Sequence, residues 1–156
     1  MTALAWLLGL ILPACGADGA AGLPRPVVMD MTRIERPATP NTFLAGPAGM
    51  QPKPDLVVEQ QQLPAPALYE KARDLFAGEP RTYIAAAFPN QLQVHYVVRS
   101  MLLNFPDLVT VQVNAEGADR STLVIWSRSV YGRSDFGVNR ERTLSWLAAL
   151  QQSTER

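Results

Sequence analysis

Residues 91–99 read QLQVHYVVR, and their alternation decides the fold. Leu92, Val94, Tyr96 and Val98 fall on one side of an extended chain, with Gln93, His95 and Arg99 on the other. Successive side chains of a strand leave opposite faces of a sheet, so a period of two predicts a half-buried strand. Residues 108–114 repeat the pattern, with Val109, Val111 and Val113 set against Thr110, Gln112 and Asn114. Before them, residues 82–88 (TYIAAAF) stop at the turn signal Pro89-Asn90. After them, the loop Glu116-Gly117-Ala118-Asp119 leads into residues 121–130. Loops this short predict antiparallel neighbours.

Helical spacing flanks the four strands. Leu68, Ala72, Leu75 and Phe76 form an apolar stripe that opens behind Pro66 and closes at Gly78 and Pro80. A last helix starts near residues 135–138 and turns Thr143, Trp146, Leu147 and Leu150 inward. The order α-β-β-β-β-α over residues 66–152 predicts an α+β two-layer sandwich, an antiparallel four-stranded meander with both helices packed on one face. Its other face should be largely polar.

Ahead of this domain, residues 37–65 form an extended proline-rich arm. Each proline removes a backbone donor and pushes its predecessor toward extended geometry. Phe43, Leu44 and residues 56–58 are the arm's candidate anchors. Residues 16–36 begin with GADGAAG and read as a flexible spacer. Residues 1–15 read as a signal peptide. ALAWLLGLIL at 3–12 is too short to span a bilayer, and Leu12-Pro13-Ala14-Cys15 resembles a bacterial lipobox. Cys15 is then the candidate lipidation site, although residues 1–5 lack the Lys or Arg that usually opens such a signal.

Fourteen basic and fourteen acidic side chains cancel, so no field draws in nucleic acid, and no nucleic-acid partner is expected. One cysteine and one histidine cannot assemble the usual zinc set, and no P-loop or dinucleotide fingerprint occurs. Neither a metal nor a cofactor is expected.

Residues 125–142, IWSRSVYGRSDFGVNRER, hold the densest hydrogen-bonding chemistry. Two readings of them stay open. In one, Arg99, Asp107, Arg128, Arg133, Ser134, Asp135, Asn139 and Arg142 border an anion-recognising hollow at the start of the last helix. In the other, Asp135 or Ser134 caps that helix while Asp107 and Asp135 pair with arginines to fix the loops. No catalytic residue is assigned: His95, Asp107 and Asp135 are the least implausible players for an enzyme, with Ser100, Ser127 and Ser129 as the serines in reach, and no spacing ties His95 to a serine or acid.

RSMLLNFPD at 99–107 and SRSVYGRSDFGVNRER at 127–142 resemble the two signatures of domain-of-unknown-function family 1499. Gly132, Asp135, Gly137, Asn139 and Arg142 match in register, and TPNTFLAGP at 39–47 is similar to the family's N-terminal element. The resemblance runs roughly from Pro37 to Leu150. It implies no activity, and it implies attachment to a bacterial envelope. The expected function is therefore a non-catalytic binding module, lipid-anchored at Cys15 and facing the periplasm, or else secreted as a soluble protein. Its expected partner is an envelope protein or an anionic small molecule. An enzyme of unknown type and a structural envelope component are the alternatives.

Overall fold

A computed structural model of the protein describes residue 7 and residues 12–154. Most of the apolar run at 3–12, and with it most of the signal-peptide expectation, lies outside the described residues. No described helix is long and apolar enough to cross a membrane.

The elements are β1 (Thr42–Gly46), β2 (Leu56–Val57), α1 (Ala65–Ala77), β3 (Thr82–Phe88), β4 (Gln93–Arg99), β5 (Pro106–Ala115), β6 (Ser121–Ser129) and α2 (Val138–Thr154). They build one six-stranded sheet in the order β2-β1-β6-β5-β4-β3. Strands β1 and β2 run parallel, and the other neighbours run antiparallel. The α+β class stands, but the expected four-stranded antiparallel meander is corrected to a mixed six-stranded sheet.

The two added strands come from the proline-rich arm. Thr42 to Ala45 pair with Arg128 to Ile125, so β1 covers the edge that β6 would otherwise expose. Pro40, Pro47 and Pro54 flank these strands without interrupting them, so no ladder donor is lost. Beyond β1, the Val58 amide donates to the Gly46 carbonyl at 2.9 Å and the Leu44 amide to Asp55 Oδ2 at 2.8 Å.

Both helices lie on one face. There Leu68, Tyr69, Ala72 and Phe76 of α1 and Trp146 and Leu150 of α2 pack on Val94, Tyr96, Val109, Val111, Leu123 and Ile125. The Phe76 ring stacks on Trp146 with centroids 4.6 Å apart, and Tyr96 meets Trp146 edge-on at 5.4 Å. Each such side chain contributes about 1.5–3 kcal/mol on burial.

The opposite face is polar in composition and is covered as well. Residues 14–34, which include most of the stretch read from sequence as a spacer, lie across it as a strap. Met31 and Ile34 pack on Leu44, Val124 and Trp126. The Gln93 amide binds the strap as a neighbouring strand would. Its Oε1 accepts from the Met29 amide at 2.7 Å, and its Nε2 donates to the Met29 carbonyl at 2.8 Å. Gln93 is fully buried in consequence.

Candidate functional site

The polar residues of 125–142 that bond to one another lie on the helix face of β6 and at the start of α2. Ser127 projects toward α2, where its Oγ donates to Asn139 Oδ1 at 2.5 Å. Asn139 is fully buried, and its Nδ2 donates to the Asn41 carbonyl at 3.0 Å, to Ser129 Oγ at 3.1 Å and to Asp135 Oδ2 at 2.8 Å. One turn on, Arg142 donates through Nη1 to Asn139 Oδ1 at 2.8 Å and through Nη2 to Asp107 Oδ2 at 2.5 Å. The last pair is an ion pair whose side chains are only 10% and 9% exposed. Asp135 accepts from the Gly137 and Asn139 amides at 3.0 and 2.8 Å, satisfying donors that the first turn of α2 leaves open.

These bonds tie β1, β5, β6 and α2 at one point. Asn41 completes the knot by donating from Nδ2 to the Gly132 carbonyl at 2.9 Å. The structure therefore brings together Asp107, Asp135, Asn139 and Arg142 of the candidate set, with their polar groups turned on one another.

Arg99 belongs to a second cluster on the strap face. It is 2% exposed, and its guanidinium donates to the carbonyls of Gly19 at 2.9 Å, Ala21 at 3.0 Å and Ala14. Asn104 assists by donating from Nδ2 to Cys15 O at 2.7 Å and Ala17 O at 2.9 Å. The Cys15 thiol is buried beside this cluster, and burial pushes its pKa up.

His95 also lies under the strap. The Gln93 amide is oriented by Met29 and Gln112, so its Oε1 must accept from His95 Nε2 at 2.8 Å. Nδ1 is then the acceptor for Thr110 Oγ1 at 3.1 Å. Burial lowers the His95 pKa to about 4, which keeps the ring neutral. Asp107 pairs across the sheet with Val98, one residue over from the His95 side, and joins the helix-face network. His95 therefore does not converge with Asp107 or Asp135.

Three candidates remain at the surface. Arg133 and Ser134 are exposed on the loop before α2, where Ser134 Oγ accepts from the Phe136 amide at 3.2 Å. Arg128 leaves β6 on the strap face, is exposed, and has no carboxylate partner among the described residues. It stands in the wall shared by two hollows. One, of about 710 Å³, is lined by Arg33, Glu35, Arg36, Asn41, Trp126 and Arg128. The other, of about 600 Å³, runs beneath strap residues 20–29 and reaches His95 and Thr110.

Sequence reasoning missed Arg33 and Arg36, and left Trp126 out of the candidate set. The only local signal was Arg33-Ile34-Glu35-Arg36 ahead of Pro37, two cations around one apolar anchor. Arg36 is bound to Asp55 at 2.8 Å, and its guanidinium carbon lies 5.9 Å from the Trp126 ring centre. Among the described residues, no group of three or more His, Cys, Asp or Glu could hold a metal ion.

The network around Asn139 accounts for the signature residues, and the matching family model covers residues 34–150, described as "Protein of unknown function (DUF1499)". The chain belongs to this family. The matched residues begin where the strap ends, and they contain the network and all six strands. Comparison with curated proteins gives no match. Among solved structures, the chain is similar to the di-domain ARO/CYC BexL from the BE-7585A biosynthetic pathway, at 14% identity and a TM-score of 0.48. That match covers 62% of this chain and 44% of BexL, so the chain spans less than half of that protein. It is also similar to a putative uncharacterized protein from Rhizobium leguminosarum, at 15% identity and a TM-score of 0.42, over 74% of this chain and 97% of the other.

Proposed function

We propose that the protein is a non-catalytic binding domain of the bacterial cell envelope that takes an anionic group into the cleft at Arg128. The supporting observation is the contrast between Arg128 and the buried signature arginines. Arg99 and Arg142 are turned onto protein acceptors, whereas Arg128 faces an open cleft beside Trp126, Arg33 and Arg36. Planar guanidinium groups beside an indole suit a carboxylate or phosphate, which accepts two parallel hydrogen bonds. The ligand is a small anion or an acidic side chain of an envelope protein.

Attachment at Cys15 is the other half of this reading. Cleavage before an acylated Cys15 would release the Arg99 bond to Ala14 and leave those to Gly19 and Ala21. The strap therefore has partners that survive processing. Intact mass of the membrane fraction tests attachment: an acylated Cys15 with residues 1–14 missing, lost in Cys15→Ser, is expected. An unacylated Met1 in the soluble fraction would remove it. Calorimetric titration with pyrophosphate tests the cleft. Binding is expected to disappear in Arg128→Ala while the unfolding midpoint holds, and equal binding by the two proteins would sink the assignment.

A further inference from the structure

At the end of the sheet where β4 turns into β5 and β6 departs for α2, three apolar side chains face water. Met101 is 84% exposed, Leu102 64% and Phe136 96%. Single exposed apolar residues are ordinary, whereas a group of large ones at one end of a domain marks an interaction surface. The two loops that carry them are joined. The Phe105 and Tyr131 rings lie 6.0 Å apart, and the Val130 amide donates to the Pro106 carbonyl at 3.1 Å. Phe136 is held at φ +53°, a left-handed conformation that a bulky residue adopts at a cost. Bonds to Ser134 Oγ and Asp135 Oδ1 from the Phe136 and Gly137 amides brace that turn.

The N-terminal segment arrives at the same end. Asn104, in the loop that bears Met101 and Leu102, donates to the carbonyls of Cys15 and Ala17, and Arg99 at the foot of that loop holds Ala14. Ala14, two residues beyond the apolar sequence at 3–12, is thus bound at the foot of the loop that carries Met101 and Leu102. Arg133, three residues before Phe136, adds an exposed cation.

We propose that this end of the domain docks on a lipid bilayer, with Met101, Leu102 and Phe136 entering the boundary between headgroups and acyl chains and Arg133 lying among anionic headgroups. The inference rests on the attachment half of the proposed function and adds an orientation to it. A bilayer is the occupant because the residues that directly follow the apolar sequence at 3–12 are bound at this end. A protein partner would give no reason for that coincidence. Side chains seated in this way add apolar burial to an anchor. The hairpin at residues 116–120, at the opposite end of β5 and β6, then points away from the membrane.

The full chain, mixed with vesicles of phosphatidylethanolamine and phosphatidylglycerol, tests this by sedimentation and hydrogen exchange. Sedimentation with the vesicles is expected, with slowed exchange at 101–105 and 132–137 and none of that slowing at 116–120. Met101→Asp with Phe136→Asp should weaken vesicle binding by about tenfold or more without moving the unfolding midpoint, since both sites are exposed and aspartate tolerates a positive φ. Sedimentation with unchanged exchange at both loops would overturn the docking and leave attachment standing. Failure to sediment, or undiminished binding by the double variant, would overturn the docking, while attachment stands or falls on the acylation of Cys15.

Discussion

The two faces of one sheet are covered by different means. Among the described residues, the helix face is closed by an apolar cluster of sixteen buried residues from both helices and four strands. The strap face has a cluster of five among the described residues, and the rest of its described cover depends on hydrogen bonds from Gln93, Arg99 and Asn104 to strap backbone. Apolar burial is non-directional and survives small displacements, whereas hydrogen bonds are lost when a segment lifts. The strap face is therefore expected to open first, and it is the face that carries the candidate cleft and residues 14–34. Regions drawn from the low-stability end of a structure are where binding is accommodated.

The largest effect expected on this comparison comes from the helix face, where a single buried charge is decisive. Asp107→Ala leaves Arg142 without its carboxylate in a nearly closed site and should cost about 3–5 kcal/mol in urea unfolding. A cost below about 1 kcal/mol would mean that water reaches the pair. Replacing both partners by apolar residues should be much milder than either single change.

On the strap face the expected signal is pH dependence. His95 has a folded pKa near 4, below the unfolded value of about 6.5, so the unfolded chain binds the proton more readily. Its contribution is fully present above about pH 6.5 and is lost as pH falls toward 4, reaching at most ~3 kcal/mol. Unfolding free energies of wild type and His95→Gln, compared at neutral pH and near pH 4.5, should converge as the pH drops. Parallel curves would show that the strap lifts and hydrates the ring without global unfolding.

A smaller, local effect follows from the tie between strap and sheet. Gln93→Ala removes the partner of both Met29 backbone groups and should cost about 1–3 kcal/mol. Hydrogen exchange at Met29 should quicken more than exchange in β5, and equal acceleration would contradict an independently opening strap. The smallest effect is Arg133→Ala, expected within about 0.5 kcal/mol of wild type because the residue is exposed.

Much of the central fold was legible before the structure. The alternation in β4 and β5 and the helical stripe of α1 are local patterns, and their apolar sides were buried as read, although β4, read as half-buried, is buried on both faces. Val94, Tyr96, Val109, Val111, Leu68, Ala72 and Phe76 all entered the core. The arm's strands were not legible, because β1 has five residues and β2 two, and their partner Arg128 lies 86 positions beyond Thr42. His95 looked solvated for the same reason: its neighbours in sequence give no hint that Met29 will lie above it. The candidate set was found as residue types, but its division into an internal knot and an exposed remainder was invisible. Nothing in the spacing of Arg128 and Arg142 says that one faces the strap and the other Asp107.

The sequence by itself determined the periodicities, the helix boundaries and the family signatures, because each depends on residues within a turn or a strand of one another. The tertiary structure alone decided which polar groups are satisfied. A guanidinium becomes structural or available according to the acceptors that distant segments bring to it. For Arg99 those segments are residues 14–21, for Arg142 it is Asp107, and for Arg128 no carboxylate arrives among the described residues.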